Sequence, residues 1–233
     1  MSISVLLLAY NEEKNLKILL PQIKTELNKI DESYEILVID SAEPTDNTEE
    51  VCREFDAKYI PQEYPYYAGA FKTGINHAQN DKILVLDADG SHNPIYIKDI
   101  YEKFSEGYDI VIGSRYVAAG KNNDELSSII MSKLLNSVMR PLIGVKAKDI
   151  STSYRMYDTK QLKAIDIKTQ NYEIQQEIIL RMKKNNKNLK IGEVPIEFNK
   201  RMYGESKRSL FKFICGYIVS VIDFLLVRLN VKA

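Results

Sequence analysis

The feature that most constrains the fold is the alternation, in the first half of the chain, of short apolar runs with segments of helical periodicity. Strand-length runs lie at residues 3–9, 36–39, 83–86 and 110–112, with a shorter candidate at 58–60. Between them, apolar residues with helical spacing predict helices at residues 16–27, 48–55, 70–78 and 95–104. This order is typical of right-handed βαβ units and predicts an α/β fold with a mostly parallel sheet.

The pattern changes after Arg115. Residues 117–124 and the polar, basic residues 199–208 predict loops. A long helix is expected over residues 126–142, interrupted by Pro141. The remaining expectations are strands at 154–157 and 189–198, a helix at 173–184 and a closing apolar helix at about 210–229.

Composition excludes some classes of protein. Lys and Arg together number 32, as do Asp and Glu, so the chain lacks the basic excess of a nucleic-acid binder. Cys52 and Cys215 are too far apart to suggest a metal site or a disulfide framework. We see no secretory signal and no apolar run of the roughly 20 residues needed to span a bilayer. We therefore expect the catalytic part of the chain in the cytoplasm.

Two carboxylates follow the apolar run at residues 83–86. Asp87 and Asp89 lie one residue apart, so on an extended chain their side chains point the same way. Ligands of open α/β sheets bind at the carboxyl ends of strands, and Mg²⁺ or Mn²⁺ is commonly held by one or two carboxylates plus substrate phosphates. The same residues are also favoured in turns, so this motif alone leaves a metal site and a plain turn open.

The ends of the first two strands narrow the choice of ligand. The first strand runs into Ala9-Tyr10-Asn11-Glu12-Glu13 and not into a glycine-rich turn, which disfavours an NAD or FAD enzyme. The second ends at Asp40, where a carboxylate can bind a ribose hydroxyl or a base edge. Asp46, Asn47 or Thr48 can cap the helix that follows.

Taken in order, short motifs along the whole chain resemble one family. They are Ala9-Tyr10-Asn11-Glu12, residues 36–40 with Thr45-Asp46-Asn47-Thr48, Asp87-Ala88-Asp89-Gly90-Ser91-His92-Asn93-Pro94, Gly113-Ser114-Arg115-Tyr116, Glu193-Val194-Pro195-Ile196 and Arg201-Met202-Tyr203-Gly204-Glu205-Ser206-Lys207. The set is similar to GT-A family-2 glycosyltransferases, and within them to the polyprenyl-phosphate glycosyltransferases such as dolichol-phosphate mannose synthases. The resemblance implies a Rossmann-like GT-A domain over residues 1–208, with a nucleotide-sugar half at 1–115 and an acceptor half at 116–208, and a C-terminal amphipathic helix at 209–233.

The resemblance also implies roles for single residues. Donor-binding positions would be Ala9, Tyr10, Glu12, Asp40, Ser41, Asp87, Ala88 and Asp89. Asp87 and Asp89 would bind Mg²⁺ or Mn²⁺, with Ser91 as a further ligand. The catalytic positions would be Asp89 and the phosphate-neutralising Arg115, Arg201 and Lys207. The implied reaction is metal-dependent, inverting transfer of a hexose, mannose or glucose, from a GDP- or UDP-linked donor to polyprenyl phosphate.

Three positions depart from the family pattern. Ser41 replaces an aspartate that commonly helps to read the nucleobase, which leaves the choice between GDP and UDP open. Ala9 replaces a proline, and Lys133 lies where the family often has a phosphate-binding arginine.

Other functions stay open at this stage. A saccharide or protein acceptor is one alternative, and a sugar hydroxyl would need a carboxylate base, for which Asp149 and Glu177 are candidates. The motif around Asp87 also resembles that of haloacid-dehalogenase-type phosphatases, with Asp87 as nucleophile and Asp89 as general acid. A glycosyltransferase-like binding module without catalysis is a further alternative. The sequence does not indicate an oligomeric state.

The last helix suggests contact with a membrane. Lys212, Gly216, Ser220 and Asp223 recur at helical spacing and form a narrow polar stripe on an otherwise apolar helix. Aromatic residues suited to a membrane interface are Phe211, Phe213, Tyr217 and Phe224. Peripheral binding at the cytoplasmic face of a membrane is therefore expected, with docking on the domain as the alternative.

Overall fold

The computed structural model describes residues 2–204 and 210–228. The strands are β1 (Ser2–Leu8), β2 (Ser33–Asp40), β3 (Lys58–Pro61), β4 (Lys82–Asp87), β5 (Ile110–Ser114), β6 (Lys121–Asn122), β7 (Arg155–Asp158), β8 (Ile191–Pro195) and β9 (Glu197–Phe198). The helices are α1 (Glu13–Leu27), α2 (Thr48–Glu54), α3 (Tyr66–His77), α4 (Ile97–Ser105), α5 (Leu126–Ile143), α6 (Thr159–Lys163), α7 (Ile174–Asn185) and α8 (Leu210–Arg228). A short 3₁₀ turn precedes α4.

Seven strands form one sheet in the order β3-β2-β1-β4-β7-β5-β8. The pairs among β1 to β4 and the pair β5–β8 are parallel, which confirms the predicted fold class. β7 runs antiparallel between β4 and β5, opposite to its neighbours. Apart from this strand, the carboxyl ends of the strands meet at one edge of the sheet.

Helices cover both faces of the sheet, as the buried apolar runs predict. Leu6 of β1 and Val85 of β4 face a core shared with α3, α5, α7 and α8. Leu7 and Leu86 face the opposite core, which is filled by α1, α2 and α4. Because side chains alternate along a strand, Asp87 continues the row of Ile83 and Val85 and lies on the α3 and α7 side.

Several element boundaries differ from those predicted. α3 begins at Tyr66, four residues before the expected start, and α6 was not expected. The strand expected over residues 189–198 is divided at Ile196 into β8 and β9, and β9 pairs with β6 inside a segment expected to be a loop.

Pro141 does not interrupt α5, contrary to the prediction. The helix continues to Ile143 and ends at Gly144, whose φ of 74° places it in the left-handed region. Only two residues of the helix follow the proline, which therefore lies in the last turn. Arg228 Nη1 donates to the carbonyl oxygens of Pro141 at 3.0 Å and Leu142 at 2.7 Å, which satisfies part of the helix end.

α8 packs with its small and polar side chains turned inward. Ser220 is 5% exposed, Tyr217 and Phe224 are buried in the core, and the Tyr217 hydroxyl donates to Gln176 Oε1 at 3.1 Å. The prediction that Tyr217 and Phe224 face a membrane is therefore wrong. The side chains of Phe211, Lys212 and Phe213 lie outside the part of the chain described.

Candidate active site

The turns after β1, β2 and β4 lie side by side at the carboxyl edge of the sheet. The amide of Ala9 donates to Ile39 O at 2.8 Å, and the amide of Ala88 donates to Leu8 O at 3.2 Å. These bonds extend the parallel ladder past the strand ends. They hold Asp40 and Asp87, the last residues of β2 and β4, next to the turn that follows β1.

Two side chains, one on α3 and one just before β7, contact the Asp87 carboxylate. Ser153 Oγ, just before β7, donates to Asp87 Oδ2 at 2.8 Å, and the Tyr67 hydroxyl on α3 lies 3.4 Å from Oδ1. Burial raises the pKa of the Asp87 carboxyl, nearby Asp89 raises it further, and the hydrogen bond from Ser153 opposes the shift. A cation beside the carboxylate would favour its ionised form.

The His92 side chain binds the backbone at the end of β4. Its Nδ1 accepts the backbone N–H of Asp87 at 3.1 Å, and its buried ring packs against Tyr154 and Phe198. Burial lowers the pKa of His92, so the imidazole is neutral at pH 7, and the acceptor role of Nδ1 places its proton on Nε2. The ring therefore fixes the backbone at Asp87 without adding charge.

Asp89 meets the loop that follows β9. Arg201 Nη2 lies 3.0 Å from Asp89 Oδ2, and Asp89 Oδ1 accepts the backbone N–H of Ser91 at 2.9 Å. Gly90 has a φ of 82°, and a Cβ there would lie 2.5 Å from Met202 Cε. Glycine thus permits both the turn and the close approach of the loop.

Glu12 is predicted to bind the donor, but in the structure it binds Arg201. Glu12 is 8% exposed, and its Oε1 accepts from Arg201 Nη1 at 2.7 Å. The other oxygen accepts from Asn15 Nδ2. Burial raises the pKa of Glu12, and its hydrogen bonds to Asn15 and Arg201 oppose that shift.

Asp40 is also more enclosed than predicted. It is fully buried, with Asn11 N donating to Oδ1 at 3.2 Å and the Tyr59 hydroxyl 3.5 Å from Oδ2. Burial raises its pKa, and the backbone N–H groups of Ser41 and Asn11 lower it. Contact between Asp40 and a nucleoside, as predicted, would require this turn to move.

The other predicted donor-binding positions differ in exposure. Ala9 and Ala88 are buried, at 8% and 1% exposed. Tyr10 is 53% exposed, and Ser41 is half-buried. Tyr10 and Ser41 are therefore the members of this set that a donor could reach without rearrangement.

The oxygen donors at the end of β4 suit a hard divalent cation. Asp87 and Asp89 supply two carboxylates, and the neighbour of Asp89 Oδ2 is itself a cation, the Arg201 guanidinium. The Ser91 hydroxyl is buried and has no hydrogen-bond partner among the described residues. Within residues 2–204 and 210–228, no cluster of three or more His, Cys, Asp or Glu side chains is arranged to hold a metal. The two carboxylates and the hydroxyl are oxygen ligands of the kind that Mg²⁺ and Mn²⁺ prefer. Because they are too few to hold such a cation alone, a bound phosphate would supply the remaining ligands.

Arg115 is predicted to neutralise a phosphate, but its guanidinium is paired inside the protein. Nε lies 2.7 Å from Asp149 Oδ2, Nη2 lies 2.9 Å from Asp149 Oδ1, and Nη2 also donates to Ser151 Oγ at 2.7 Å. Burial alone would raise the pKa of Asp149, but Arg115 and the hydrogen bonds lower it to about 2. The pair joins the end of β5 to the segment before β7.

The two candidate bases, Asp149 and Glu177, also form ion pairs inside the protein. Asp149 is fully buried against Arg115. Glu177 is 2% exposed and accepts from Arg181 Nε at 2.6 Å and from the Thr169 amide at 2.8 Å. Both carboxylates therefore have structural partners in place of a substrate hydroxyl.

Of the other predicted cations, Lys133 is exposed on α5, with Nζ 5.9 Å from the centre of the Tyr116 ring. Lys207 lies outside the described residues. The structure thus places Arg201, among the predicted phosphate-binding residues, directly beside the carboxylate pair.

The sequence did not predict a role in the site for three residues that contact its carboxylates. Ser153 and Tyr67 hold Asp87, and Asn15 holds both Glu12 and the loop at Tyr203. Ser153 reaches the site because β7 is antiparallel, which local apolar patterning does not reveal. The sequence contains one signal for Asn15: it is a polar residue one helical turn after Glu12, on the otherwise apolar inner face of the predicted helix.

Comparison with known proteins agrees with this geometry. Residues 4–166 match the family described as glycosyl transferase family 2. The chain is 30% identical over 226 residues to a dolichol-phosphate mannosyltransferase of Pyrococcus furiosus, covering 92% of this chain and 62% of the relative. It is 31% identical over 220 residues to a polyprenol monophosphomannose synthase of Mycolicibacterium smegmatis, covering 88% of this chain and 80% of that relative.

Solved structures show the same fold at lower identity. Glucosyl-3-phosphoglycerate synthase of Mycobacterium tuberculosis, in complex with Mn²⁺, UDP and glucosyl-3-phosphoglycerate, superposes with a TM-score of 0.74 at 18% identity, covering 100% of this chain and 81% of that one. Another structure of that enzyme contains Mg²⁺ and UDP and gives the same TM-score, covering 80% of that chain. The sequence matches, together with the carboxylate pair at the sheet edge of a GT-A fold, show that this chain belongs to glycosyl transferase family 2.

Proposed function

We propose that the protein transfers a hexose from a nucleotide-sugar to a polyprenyl phosphate in a reaction that depends on Mg²⁺ or Mn²⁺. In this proposal residues 1–115 bind the donor and residues 116–208 contribute the acceptor side. The sugar is mannose or glucose, and the donor carries GDP or UDP. Family membership already excludes the haloacid-dehalogenase-type phosphatase.

The observation that carries the proposal is the contact of Arg201 with Asp89, one member of the carboxylate pair. Asp87 and Asp89 would hold the cation, and Ser91 lies next in the same turn. When bound, the cation would offset the negative charge that develops on the departing diphosphate. Arg201, 3.0 Å from Asp89, is placed to bind the same phosphates.

The acceptor follows from the chemistry of the nucleophile. A lipid phosphate is already anionic and needs no general base, whereas a sugar hydroxyl does. Asp149 and Glu177, the bases considered for a hydroxyl acceptor, are both buried and paired. The names of the two relatives, a dolichol-phosphate mannosyltransferase and a polyprenol monophosphomannose synthase, support the same acceptor class and favour mannose.

Sugar transfer can be tested directly. The full chain is incubated with Mn²⁺, a short polyprenyl phosphate and radiolabelled GDP-mannose, GDP-glucose, UDP-glucose or UDP-mannose in parallel. We expect label to enter the organic phase with one donor and to stay in the aqueous phase when EDTA is added. Donor binding without transfer to any acceptor would instead indicate a binding module, and transfer to free sugars alone would exclude the lipid acceptor.

We further propose that α5 and α8 contact the membrane that contains this acceptor. No helix within the described residues is long and apolar enough to cross a bilayer. Both helices nevertheless expose aliphatic side chains, namely Leu126, Ile130, Leu134 and Val138 on α5 and Val219, Ile222 and Leu225 on α8. On α5 they recur every four residues and form one stripe, as expected of a helix lying in the interface.

Replacing Ile130 or Ile222 with serine should weaken binding to phosphatidylglycerol vesicles at least about tenfold each, because one buried isoleucine side chain is worth roughly 1.5–3 kcal/mol. Cosedimentation measures the bound fraction. Ile95→Ser is the matched control, since Ile95 is 55% exposed on a different element and should have no effect. Equal binding by all three variants, or a wild-type chain that stays in the supernatant, would contradict membrane contact through these helices.

A further inference from the structure

We infer that Glu12 is a positioning residue that keeps Arg201 at the active site while Asp89 changes partners, an inference that rests on the proposed sugar transfer. Arg201 uses two different nitrogens for its two carboxylates. Nη1 lies 2.7 Å from Glu12 Oε1, and Nη2 lies 3.0 Å from Asp89 Oδ2. The Nη2 group therefore pairs with a carboxylate of the proposed metal site, and the Nη1 group pairs with a carboxylate outside that site. We call these two groups the Nη2 arm and the Nη1 arm.

The loop that carries Arg201 is anchored on both sides of it. Asn199 N donates to Ser91 O at 3.0 Å, and Met202 N donates to Asp89 O at 3.0 Å. Asn15 then takes both polar groups of the next residue, because Tyr203 N donates to Asn15 Oδ1 at 3.1 Å and Asn15 Nδ2 donates to Tyr203 O at 3.3 Å. Asn15 also donates to Glu12, so one side chain links Glu12 to the loop.

The two arms differ in what a bound substrate does to them. A divalent cation held by Asp89 would attract that carboxylate more strongly than a single guanidinium charge does, which would leave the Nη2 arm free to bind the donor diphosphate. Glu12 lies outside the Asp87–Asp89 pair and keeps the Nη1 arm. Since a rigid guanidinium fork holds its two arms in fixed geometry, the anchored arm aims the free one.

This role differs from the donor contact predicted for Glu12. The residue is 8% exposed, and both carboxylate oxygens already accept hydrogen bonds. Glu12 would act through Arg201 and not by touching the donor. Its loss should lower kcat, because a misplaced charge weakens transition-state stabilisation, more than it raises the donor KM.

The test compares Glu12→Gln with Glu13→Gln, a change at the next residue. The Glu13 carboxylate pairs with Lys17 at 2.7 Å. Hydrogen exchange of the Met202 and Tyr203 amides is measured without ligand, with Mn²⁺ and UDP, and with Mn²⁺ and GDP. We expect exchange at least tenfold faster in Glu12→Gln in all three conditions, and wild-type protection to persist with either nucleotide. Loss of wild-type protection on adding Mn²⁺ and nucleotide would overturn the inference.

Kinetics then separate positioning from a general structural effect. Glu12→Gln should lower kcat about 10- to 100-fold and change the donor KM less than threefold. Arg201→Gln, a change on a partly exposed loop, should accelerate the same exchange, and adding Glu12→Gln to it should cost nothing further. Additive losses would show that Glu12 acts elsewhere. If wild type transfers no sugar, the proposed function fails, while hydrogen exchange still decides the role of Glu12.

Discussion

Replacing Asp89 with asparagine is expected to lower the rate of sugar transfer by about 10²–10³-fold, since one preorganised charge-stabilising group is worth about this much. The substitution keeps the size of the side chain and removes its charge. The cation proposed at this site then loses an ionic contact, and in the absence of a cation so does Arg201, whose Nη2 lies 3.0 Å from Asp89 Oδ2. The measurements are the initial transfer rate and the affinity for Mn²⁺ in the presence of nucleotide, by calorimetry.

Asp99→Asn is the matched control, because Asp99 is exposed on the first turn of α4. We expect it to keep the wild-type rate and the wild-type Mn²⁺ affinity. An Asp89→Asn enzyme that transfers sugar within twofold of wild type, at the same Mn²⁺ concentration, would show that the carboxylate pair does not hold the metal.

Local patterning was sufficient to predict the sheet edge that carries the site. The apolar runs before Asp40 and Asp87 indicate strands buried on both faces, and such strands are typical of a parallel sheet in an α/β fold. The alternation of side chains then places Asp87 with Ile83 and Val85 on one face. These inferences need only contacts between residues close in sequence and one rule of topology.

Pairings between distant residues were not predictable in the same way. The apolar pattern at residues 154–157 is the same for a parallel and an antiparallel strand, yet the antiparallel arrangement is what brings Ser153 within 2.8 Å of Asp87. Arg115 likewise reads as a surface cation because its partner lies 34 residues away. A single sequence contains no signal for either contact.

The last helix shows how tertiary packing reverses a pattern-based expectation. Gly216 allows close packing against the start of α7, because a Cβ there would lie 2.0 Å from Oε1 of Glu173, the residue before the helix, and Ser220 is buried as well. Consequently Tyr217 and Phe224 are buried, while the aliphatic face is exposed. The proposed membrane surface is therefore the aliphatic face of α8 together with a stripe on α5.

The second large effect concerns stability. Arg115→Met is expected to lower the free energy of unfolding at pH 7 by about 3–5 kcal/mol, because it leaves the Asp149 carboxylate buried without its counter-charge. Asp149 is fully buried, and Asn136 and Ser151 remain as its hydrogen-bond donors. Urea denaturation at pH 7 measures the change. Lys133→Met, which removes an exposed cation on α5, is the control and should stay within about 0.5 kcal/mol of wild type.

The pH dependence of this loss identifies its cause. In wild type, Arg115 overcomes burial and lowers the pKa of Asp149 to about 2, so the stability gained from the ionised carboxylate is present above its unfolded pKa of about 3.9 and disappears as the pH falls toward 2. In Arg115→Met, burial dominates and raises the pKa, so protonation removes the cost of the buried charge at a higher pH. The difference in unfolding free energy between the two proteins should therefore be largest near pH 7 and shrink as the pH falls through 4. A difference that stays constant from pH 7 to pH 3 would mean that Arg115 stabilises the fold by packing and not by its charge.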